Sequence, residues 1–293
     1  MSQQTESQKS KKHSQLRDVW KRLRRNKAAI VGMVILILIV LMALFADVIA
    51  NYEDKVIKQE ISRMLEKPSK EHIFGLDELG RDIFARIVHG SRYSLEVGLI
   101  SVSISLFIGG ILGSLAGYYG GKADNIIMRI MDIFLAIPGI VLAIAIVSAL
   151  GTSLINLMIS IGISSVPRFA RIVRSSVLGI KDQEFIEATR AIGATNRVII
   201  FGEVLPNCMA PIIVQITLSV ATAILSASSL SFLGLGIQPP NPEWGNMLSG
   251  GKTYMRDAPH LCIIPGLFIM ITILSLNLLG DGLRDALDPK LKR

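Results

Sequence analysis

The sequence predicts an all-α polytopic membrane protein with six transmembrane helices. Of its 293 residues, 51% are hydrophobic and 18% are charged, and the mean hydropathy is +0.51. Average soluble domains carry about 25% charged residues, so this chain has too few to coat a compact soluble globule. Aromatic residues make up only 6%, which favours apolar helices over aromatic-girdled barrel strands. The composition therefore disfavours a soluble enzyme, a disordered protein and a disulfide scaffold.

Six apolar runs are long enough to cross a bilayer, which takes about 20 residues. The first is uncharged and longer than the apolar core of a signal peptide, which predicts an uncleaved helix. The expected spans run from Ala28 to Ala46, from Ser94 to Gly117, from Ile126 to Leu150, from Ser153 to Val173, from Ala210 to Gly234 and from Leu261 to Gly280.

Two spans carry residues that affect helix packing. In the second, small residues recur at three- and four-residue spacing, which lets another helix approach closely. The third contains Pro138, which is expected to lie inside the span. Residues 82–94 have apolar side chains at helical spacing and predict a separate interfacial helix before the second span. The small residues of the second span are Gly109, Gly110, Gly113 and Gly117.

The distribution of basic residues predicts that both termini lie in the cytoplasm. Cytoplasmic loops are enriched in Lys and Arg, and 21 of the 31 basic residues fall in residues 1–27, 118–129, 167–209 and 284–293. The net charge of +8 therefore marks orientation and membrane lipid contact, and no nucleic-acid partner is expected. The predicted organisation is a basic tail with an amphipathic helix (1–27), a first transmembrane helix (28–50), an extracytoplasmic segment (51–93), a core with five helices (94–284) and a cytoplasmic tail (285–293).

The longest internal cytoplasmic segment, residues 175–209, is too long for a plain connector. Apolar residues at helical spacing predict a short helix within it. Glu184 and Glu187 fit its first turn, where acidic side chains match the helix dipole, and Gly193 ends or bends it. A second helical stretch, residues 198–204, leads back to the membrane. A short helix held between two membrane helices is a suitable handle for another protein to push.

This segment resembles the EAA loop, E-A-A-x-x-x-G followed by L-P, of the membrane subunits of binding-protein-dependent ABC importers. The resemblance is carried by Glu187, Ala188, Thr189, Gly193, Leu205 and Pro206. Thr189 departs from the second alanine of the pattern. The resemblance implies a coupling helix that sits in a cleft of an ATPase subunit. Glu187, Ala188 and Gly193 are then contact positions, and Pro206 fixes the return into the membrane.

Three further stretches resemble the C-type subunits of dipeptide and oligopeptide permeases. They are residues 74–82, with Leu76 in place of a threonine, residues 231–245 and residues 277–289. The resemblance implies the type I ABC importer permease fold and one half of a translocation pore. It also implies three kinds of partner: a B-type permease subunit, two ABC ATPase subunits and an extracytoplasmic solute-binding protein. The chain itself would lie in a bacterial or archaeal plasma membrane. No cofactor is expected in this chain, because ATP and Mg would be bound by the ATPase subunits.

Other functions fit the sequence less well. Residues 245–253 have one residue too many for a phosphate-binding P-loop, so this chain is expected to be a non-catalytic subunit. An ATP-independent secondary carrier would show coupling acids deep in several helices or an inverted repeat, and neither is visible. Peptides are the expected cargo, with nickel chelates, glutathione or another small solute as alternatives.

Four residues are candidates for the translocation path. Asp132 is either a polar point on that path or one half of an interfacial pair with Arg129. The hydroxyls of Ser226, Ser228 and Ser229 either line a wet path or bond their own helix at a tight contact. The stiff loop 238–250 contains Trp244, which suits the membrane interface, and is either an outer lid or a rigid connector.

Overall fold

The computed structural model describes residues 17–287, which are mostly helical and contain no β-strand. The longer helices are α1 (Lys27–Leu44), α2 (Ile83–Tyr119), α3 (Gly121–Leu135), α4 (Gly139–Leu150), α5 (Leu154–Leu178), α6 (Glu184–Ala191), α7 (Met209–Phe232), α8 (Trp244–Gly251) and α9 (His260–Leu287). Short helical pieces lie at residues 17–23, Ala46–Ile49, Tyr52–Ile57, Ile61–Arg63, Asn196–Val198, Ile199–Val204, Leu205–Asn207 and Lys252–Tyr254. Residues 1–16 of the predicted basic tail and residues 288–293 of the predicted cytoplasmic tail lie outside the described residues.

The number of clear membrane-crossing helices is four or five in residues 17–287, where the sequence predicts six. α1, α2, α7 and α9 are each long and apolar enough to cross a membrane. α3 and α4 meet that condition together but are bent by 86° at the short break between them. Pro138 lies at this break, so the third predicted span is broken and not one helix. α5 spans 25 residues, but Arg168, Arg171 and Arg174 make its second half less apolar.

The second span extends much further than predicted. α2 has 37 residues and includes the stretch that the sequence assigns to a separate interfacial helix. Asp82 caps it by accepting a hydrogen bond from the Ala85 amide at 2.9 Å. Arg86 donates to the Val56 carbonyl at 3.3 Å, and His89 Nε2 lies 2.8 Å from the Ala50 carbonyl. The polar side chains of this stretch are therefore bonded by the preceding segment, which lets the helix continue.

α2 and α5 pack closely along a stripe of glycines. A Cβ atom at Gly109 would lie 2.7 Å from Phe169 Cβ, and one at Gly113 would lie 2.4 Å from the Ala170 carbonyl. Gly117 continues the stripe one turn further on. The sequence places Gly110 in the same group. A Cβ built on Gly110, however, would have no other atom within 4 Å. Positions 109, 113 and 117 thus form the helix contact, and position 110 does not.

The main core lies where α2, α5, α7 and α9 meet. Phe169 and Leu157 of α5 and Leu230 of α7 are fully buried in it. A second cluster, on the side of residues 51–93, buries Trp244 against α2 and α9. A small third cluster places Leu23 against the end of α9. These clusters leave α6 at one end of the helices and α8 at the other.

Two ion pairs join the broken span to α5. Arg174 donates two parallel hydrogen bonds to the carboxylate of Asp124, and these side chains are 30% and 15% exposed. Arg171 donates one bond to Asp132 at 2.7 Å, with both side chains more than half exposed. A bidentate, half-buried ion pair contributes more to folding stability than an exposed pair with a single bond. The Asp124–Arg174 pair is therefore the main polar connection between α3 and α5.

We expect Asp124→Asn to lower the free energy of unfolding by about 1 to 2 kcal/mol, because it removes a partly buried, charge-assisted pair. Asp132→Asn serves as the matched control, and its effect should be smaller because that pair is exposed. Thermal unfolding of the two purified variants makes the comparison. Equal losses from both substitutions would contradict this ranking.

Candidate coupling surface and outer ion cluster

α6 is the predicted short helix of the 175–209 segment, and one side chain fixes it to the membrane helices. Ile186 is completely buried. It belongs to one buried apolar cluster with Val173 and Val177 of α5 and Ile212 of α7. The remaining members of this cluster lie in residues 199–208. α6 therefore shares one buried cluster with the ends of both α5 and α7.

The opposite side of α6 is exposed. Glu184, Glu187 and Ala188 are exposed, and Thr189 is half-buried with its hydroxyl donating to the Phe185 carbonyl at 2.8 Å. Ile192, directly after the helix, is 85% exposed. Large apolar side chains exposed beside charged residues are typical of a surface that another protein covers. Val198 and Phe201 enlarge this surface and are 57% and 70% exposed.

Gly193 ends the α6 turn in the way the sequence predicts. Its backbone φ is +86°, a left-handed conformation that glycine adopts without steric cost. The Gly193 amide donates to the Arg190 carbonyl at 3.0 Å, and the Ala194 amide donates to the Thr189 carbonyl at 3.3 Å. Nothing lies within 4 Å of a Cβ at Gly193. Its role in this structure is therefore to set the turn that presents Ile192.

The return toward the membrane starts at Leu205. Residues Leu205–Asn207 form one short helical turn with Pro206 in its first positions, where a proline is well accommodated. Leu205 is half-buried and Pro206 is exposed. The segment is also tied to α2, because the Tyr118 hydroxyl donates to Asn196 Oδ1 at 2.9 Å. Three membrane helices therefore contact the 175–209 segment.

The four candidate path residues do not converge on one place. Asp132 lies on α3 and pairs with Arg171 across to α5, not with Arg129 as the spacing suggests. Ser226 and Ser229 are half-buried, and the Ser229 hydroxyl donates to the Leu225 carbonyl at 2.8 Å. Ser228 is buried against α8, where a Cβ at Gly245 would lie 2.4 Å from Ser228 Cα.

Ser228 and Ser229 also line a mainly apolar cavity of about 430 Å³ between α7 and α9. Its wall includes Phe232, Leu248 and Ile269. Ser228 Oγ is buried and has no hydrogen-bond partner among the described residues. The Ser229 hydroxyl therefore bonds its own helix, and Ser228 lies at a tight helix contact. A wet path lined by these serines stays a prediction.

The loop before α8 is fixed and not free at the membrane interface. Trp244, which the sequence places at the interface, is completely buried, and its Nε1 donates to the Ile87 carbonyl at 3.1 Å. The Tyr93 hydroxyl donates to Asn241 Oδ1 at 3.1 Å. Both contacts join the loop to α2 across about 150 residues of sequence, which a local pattern cannot reveal. The loop is thus built as a rigid connector.

Glu243 is a buried acid within this connector. Its two carboxylate oxygens accept hydrogen bonds from the Gly245 and Asn246 amides, each at 2.8 Å, and so cap α8. Burial raises the pKa of Glu243 above its ordinary value, and the two amide bonds only partly oppose this. The folded protein therefore binds this proton more tightly than the unfolded chain does.

A pH dependence follows from the buried Glu243. The stability that its raised pKa contributes is fully present below about pH 4.5 and is lost as the pH rises through the folded-state pKa. We expect Glu243→Gln, which never ionises, to gain stability relative to the parent between about pH 5 and pH 8. Melting temperatures across this range test it, with Glu53→Gln at an exposed acid as control. A difference that does not change with pH would contradict it.

A cluster of four charged residues lies beneath the same connector. Asp77 is 4% exposed, and its Oδ2 accepts hydrogen bonds from Arg81 Nε at 2.7 Å. Arg86 Nε lies 3.3 Å from the same oxygen. Asp77 Oδ1 accepts from the amides of Leu79 and Arg81, both at 2.9 Å. Asp77 thus holds the turn of residues 74–82 against α2.

The fourth member of this cluster is Glu78, and we name the group the outer ion cluster after the side of the membrane that the sequence predicts for residues 51–93. Its Oε1 accepts a hydrogen bond from Arg81 Nη2 at 3.1 Å, and its side chain is 23% exposed. Burial raises the pKa of Glu78, and the neighbouring Asp77 adds to the shift. From the sequence, residues 74–82 are identified only by their resemblance to a family motif. The four-residue spacing of Asp77 and Arg81 and the three-residue spacing of Glu78 and Arg81 are local signals of this cluster.

Two family comparisons cover most of the chain. Residues 109–293 match the family described as binding-protein-dependent transport system inner membrane component. Residues 14–68 match the N-terminal TM domain of oligopeptide transport permease C. Among solved structures, a chain of the inward-facing MetNI methionine ABC transporter aligns with a TM-score of 0.57 at 21% identity. The alignment covers 69% of this chain and 96% of that one, which shows a common fold.

Curated relatives are similar along almost the whole chain. The dipeptide transport system permease protein DppC of Alkalihalophilus pseudofirmus is 51% identical, with 94% of this chain and 90% of the relative covered. The di/tripeptide permease DppC of Pseudomonas aeruginosa is 47% identical over 95% and 93%. The glutathione permease GsiD of Escherichia coli O157:H7 is 48% identical over 94% and 90%. The chain therefore belongs to the family of binding-protein-dependent transport system inner membrane components, as a non-catalytic permease subunit of an ABC importer.

Proposed function

We propose that this chain is the C-type permease subunit of an ATP-driven importer of dipeptides or oligopeptides. It would form half of the translocation pore with a B-type permease subunit, alongside two ABC ATPase subunits and an extracytoplasmic solute-binding protein. ATP and Mg would be bound by the ATPase subunits. Relatives named as dipeptide and di/tripeptide permeases support the peptide cargo.

The observation that carries the coupling role is the construction of α6. Ile186 fixes this helix to α5 and α7, while Glu184, Glu187 and Ala188 face away from the chain. When ATP closes the ATPase subunits, the cleft that holds α6 would move. Because α5 and α7 share a buried contact with α6, they would tilt with it and change which side of the pore is open.

The proposed residue roles follow from this arrangement. Glu184, Glu187, Ala188, Thr189 and Gly193 form the ATPase-facing surface, and Leu205 and Pro206 direct the chain back to α7. Asp132 and the α7 serines at 226, 228 and 229 remain candidates for the path.

The proposed topology puts both termini and α6 in the cytoplasm. Basic residues support it, because 21 of the 31 lie in the segments assigned to that side. In this arrangement residues 1–27 and 285–293 are cytoplasmic, and the first transmembrane helix occupies 28–50. Residues 51–93 begin outside, and the permease core occupies 94–284, with the 175–209 loop inside. The host membrane is a bacterial or archaeal plasma membrane.

Glutathione is the second candidate cargo, because relatives named as glutathione permeases are almost as similar to this chain. Competition uptake in cells that carry the complete transporter separates the two. We expect unlabelled dialanine to suppress uptake of labelled dipeptide far more than equimolar glutathione does. Stronger suppression by glutathione would assign that cargo instead. Affinity purification in mild detergent tests the class, since an ATP-independent carrier would be isolated without ATPase subunits.

A further inference from the structure

The outer ion cluster borders a cavity of about 290 Å³. Its wall is formed on one side by the four charged residues of the cluster and on the other by the connector and α8. Polar amides face it from Gln238 and Asn246, and Met247 and Leu261 supply apolar surface. Ligand pockets start at about 300 Å³ and combine apolar walls with a few convergent polar groups. This cavity therefore has the size and chemistry to hold a very small ligand or one end of a longer one.

The ion pairs of the cluster do not use all of its charged atoms. Arg81 bonds Asp77 through Nε and Glu78 through Nη2, which leaves Nη1. Arg86 contacts Asp77 through Nε and the Val56 carbonyl through Nη1, which leaves Nη2. Glu78 is bonded through Oε1, which leaves Oε2. Two guanidinium donors and one carboxylate acceptor thus have no hydrogen-bond partner within residues 17–287 and remain for a ligand.

The charges of the cluster balance, since two carboxylates face two guanidinium groups. A ligand with a single charge would leave a net charge in a largely buried place, which is costly. A ligand with one ammonium and one carboxylate keeps the site neutral and gives each unused atom an ionic partner. Such charge-assisted bonds are strong where water is partly excluded.

We infer that this cavity is a binding site for small zwitterions with a free ammonium and a free carboxylate, with Glu78 receiving the ammonium. This inference rests on the proposed function, since a short unmodified peptide has this chemistry. The site would lie on the permease itself, in addition to any site on the solute-binding protein. Burial that raises the pKa of Glu78 agrees with a carboxylate that gains from a nearby cation.

Ligand-observed NMR on the purified complex of both permease subunits and the ATPases, without the solute-binding protein, tests the inference. Dialanine is the probe, and N-acetyl-dialanine lacks only the ammonium. We expect dialanine to bind at least about tenfold more weakly to Glu78→Gln than to the parent complex, because one ionic bond is lost. N-acetyl-dialanine should bind the parent at least about tenfold more weakly than dialanine.

Two further variants separate this site from a folding effect. Gly250→Ala keeps every charge but puts a methyl group 2.6 Å from Glu78 Oε1, so it should also weaken dialanine binding. Glu53→Gln changes an exposed acid of the same outer segment and should leave binding unchanged. Equal dialanine binding by the parent, Glu78→Gln and Gly250→Ala would overturn the inference. If those complexes import dipeptide once they are placed in vesicles with the solute-binding protein outside, the proposed function stands, whereas a parent complex that imports none under these conditions would remove the function itself.

Discussion

Ile192→Asp abolishes ATP-driven uptake and leaves the chain folded in the membrane: this is the largest functional effect that we expect. Ile192 is 85% exposed, so its replacement removes no packing from this chain. If the surface of α6 sits in an ATPase cleft, a carboxylate at this position is buried without a partner on assembly. Burying an unpaired charge costs several kcal/mol, so we expect the ATPase subunits to be lost on purification.

The control for this experiment is Ile61→Asp. Ile61 is 63% exposed but lies in the segment proposed to face outside, so uptake and ATPase binding should persist. Membrane expression and melting temperature should match the parent in both variants. Full uptake by Ile192→Asp, with the ATPases still bound, would refute the coupling role of this surface.

Gly113→Leu prevents the chain from reaching a stable folded state: this is the largest structural effect that we expect. A Cβ at Gly113 would lie 2.4 Å from the Ala170 carbonyl and 2.9 Å from Val173 Cβ. Both obstacles belong to α5 and cannot rotate away. Overpacking of a close contact costs about 1 to 3 kcal/mol, and separating two long helices adds the loss of their shared packing. The yield of monodisperse protein in detergent measures the loss.

Gly110→Leu is the matched control for Gly113→Leu, since it makes the same change on the same helix three residues away. Gly110 has no atom within 4 Å of a Cβ, so a leucine there points into open space. We expect this variant to give the parent's yield and melting temperature. Equal damage from both substitutions would mean that the α2–α5 contact has been misplaced.

The sequence predicts the apolar helices well because the physical rule is local. A run of about 20 apolar residues has few alternatives to a helix in a bilayer, and α1, α7 and α9 lie where that rule puts them. The short helix at Glu184–Ala191 and the turn at Gly193 are also predictable, because first-turn acids and a terminal glycine act over a few residues.

Long-range contacts explain the parts that the sequence does not predict. The apolar spacing of residues 82–94 predicts a separate interfacial helix, but the chain before α2 bonds the side chains of Arg86 and His89 and lets one helix run on. Trp244 suits an interface by composition, yet a hydrogen bond to Ile87 buries it. Pro138 lies at the 86° bend between α3 and α4. A proline in a helix is also compatible with a mild kink, so the sequence alone does not predict the size of this bend.

The candidate functional sites also include one part that local sequence predicts and one part that depends on long-range contacts. The α6 surface can be proposed from a contiguous motif, whereas the outer ion cluster requires Val56, Arg86 and α8 to come together. The exclusion of Gly110 from the glycine stripe is predictable in principle. Each residue turns a helix by about 100°, so Gly110 points to a different side of α2 from Gly109.

Uptake of labelled dialanine into proteoliposomes is the decisive measurement of whether this chain is a subunit of an ATP-driven importer. The vesicles hold this chain with its permease partner and the ATPases, and the solute-binding protein is added outside. We expect uptake that needs ATP, stops when the ATPases are omitted and fails with Ile192→Asp. Uptake by vesicles that hold this chain alone, without ATP, would contradict it.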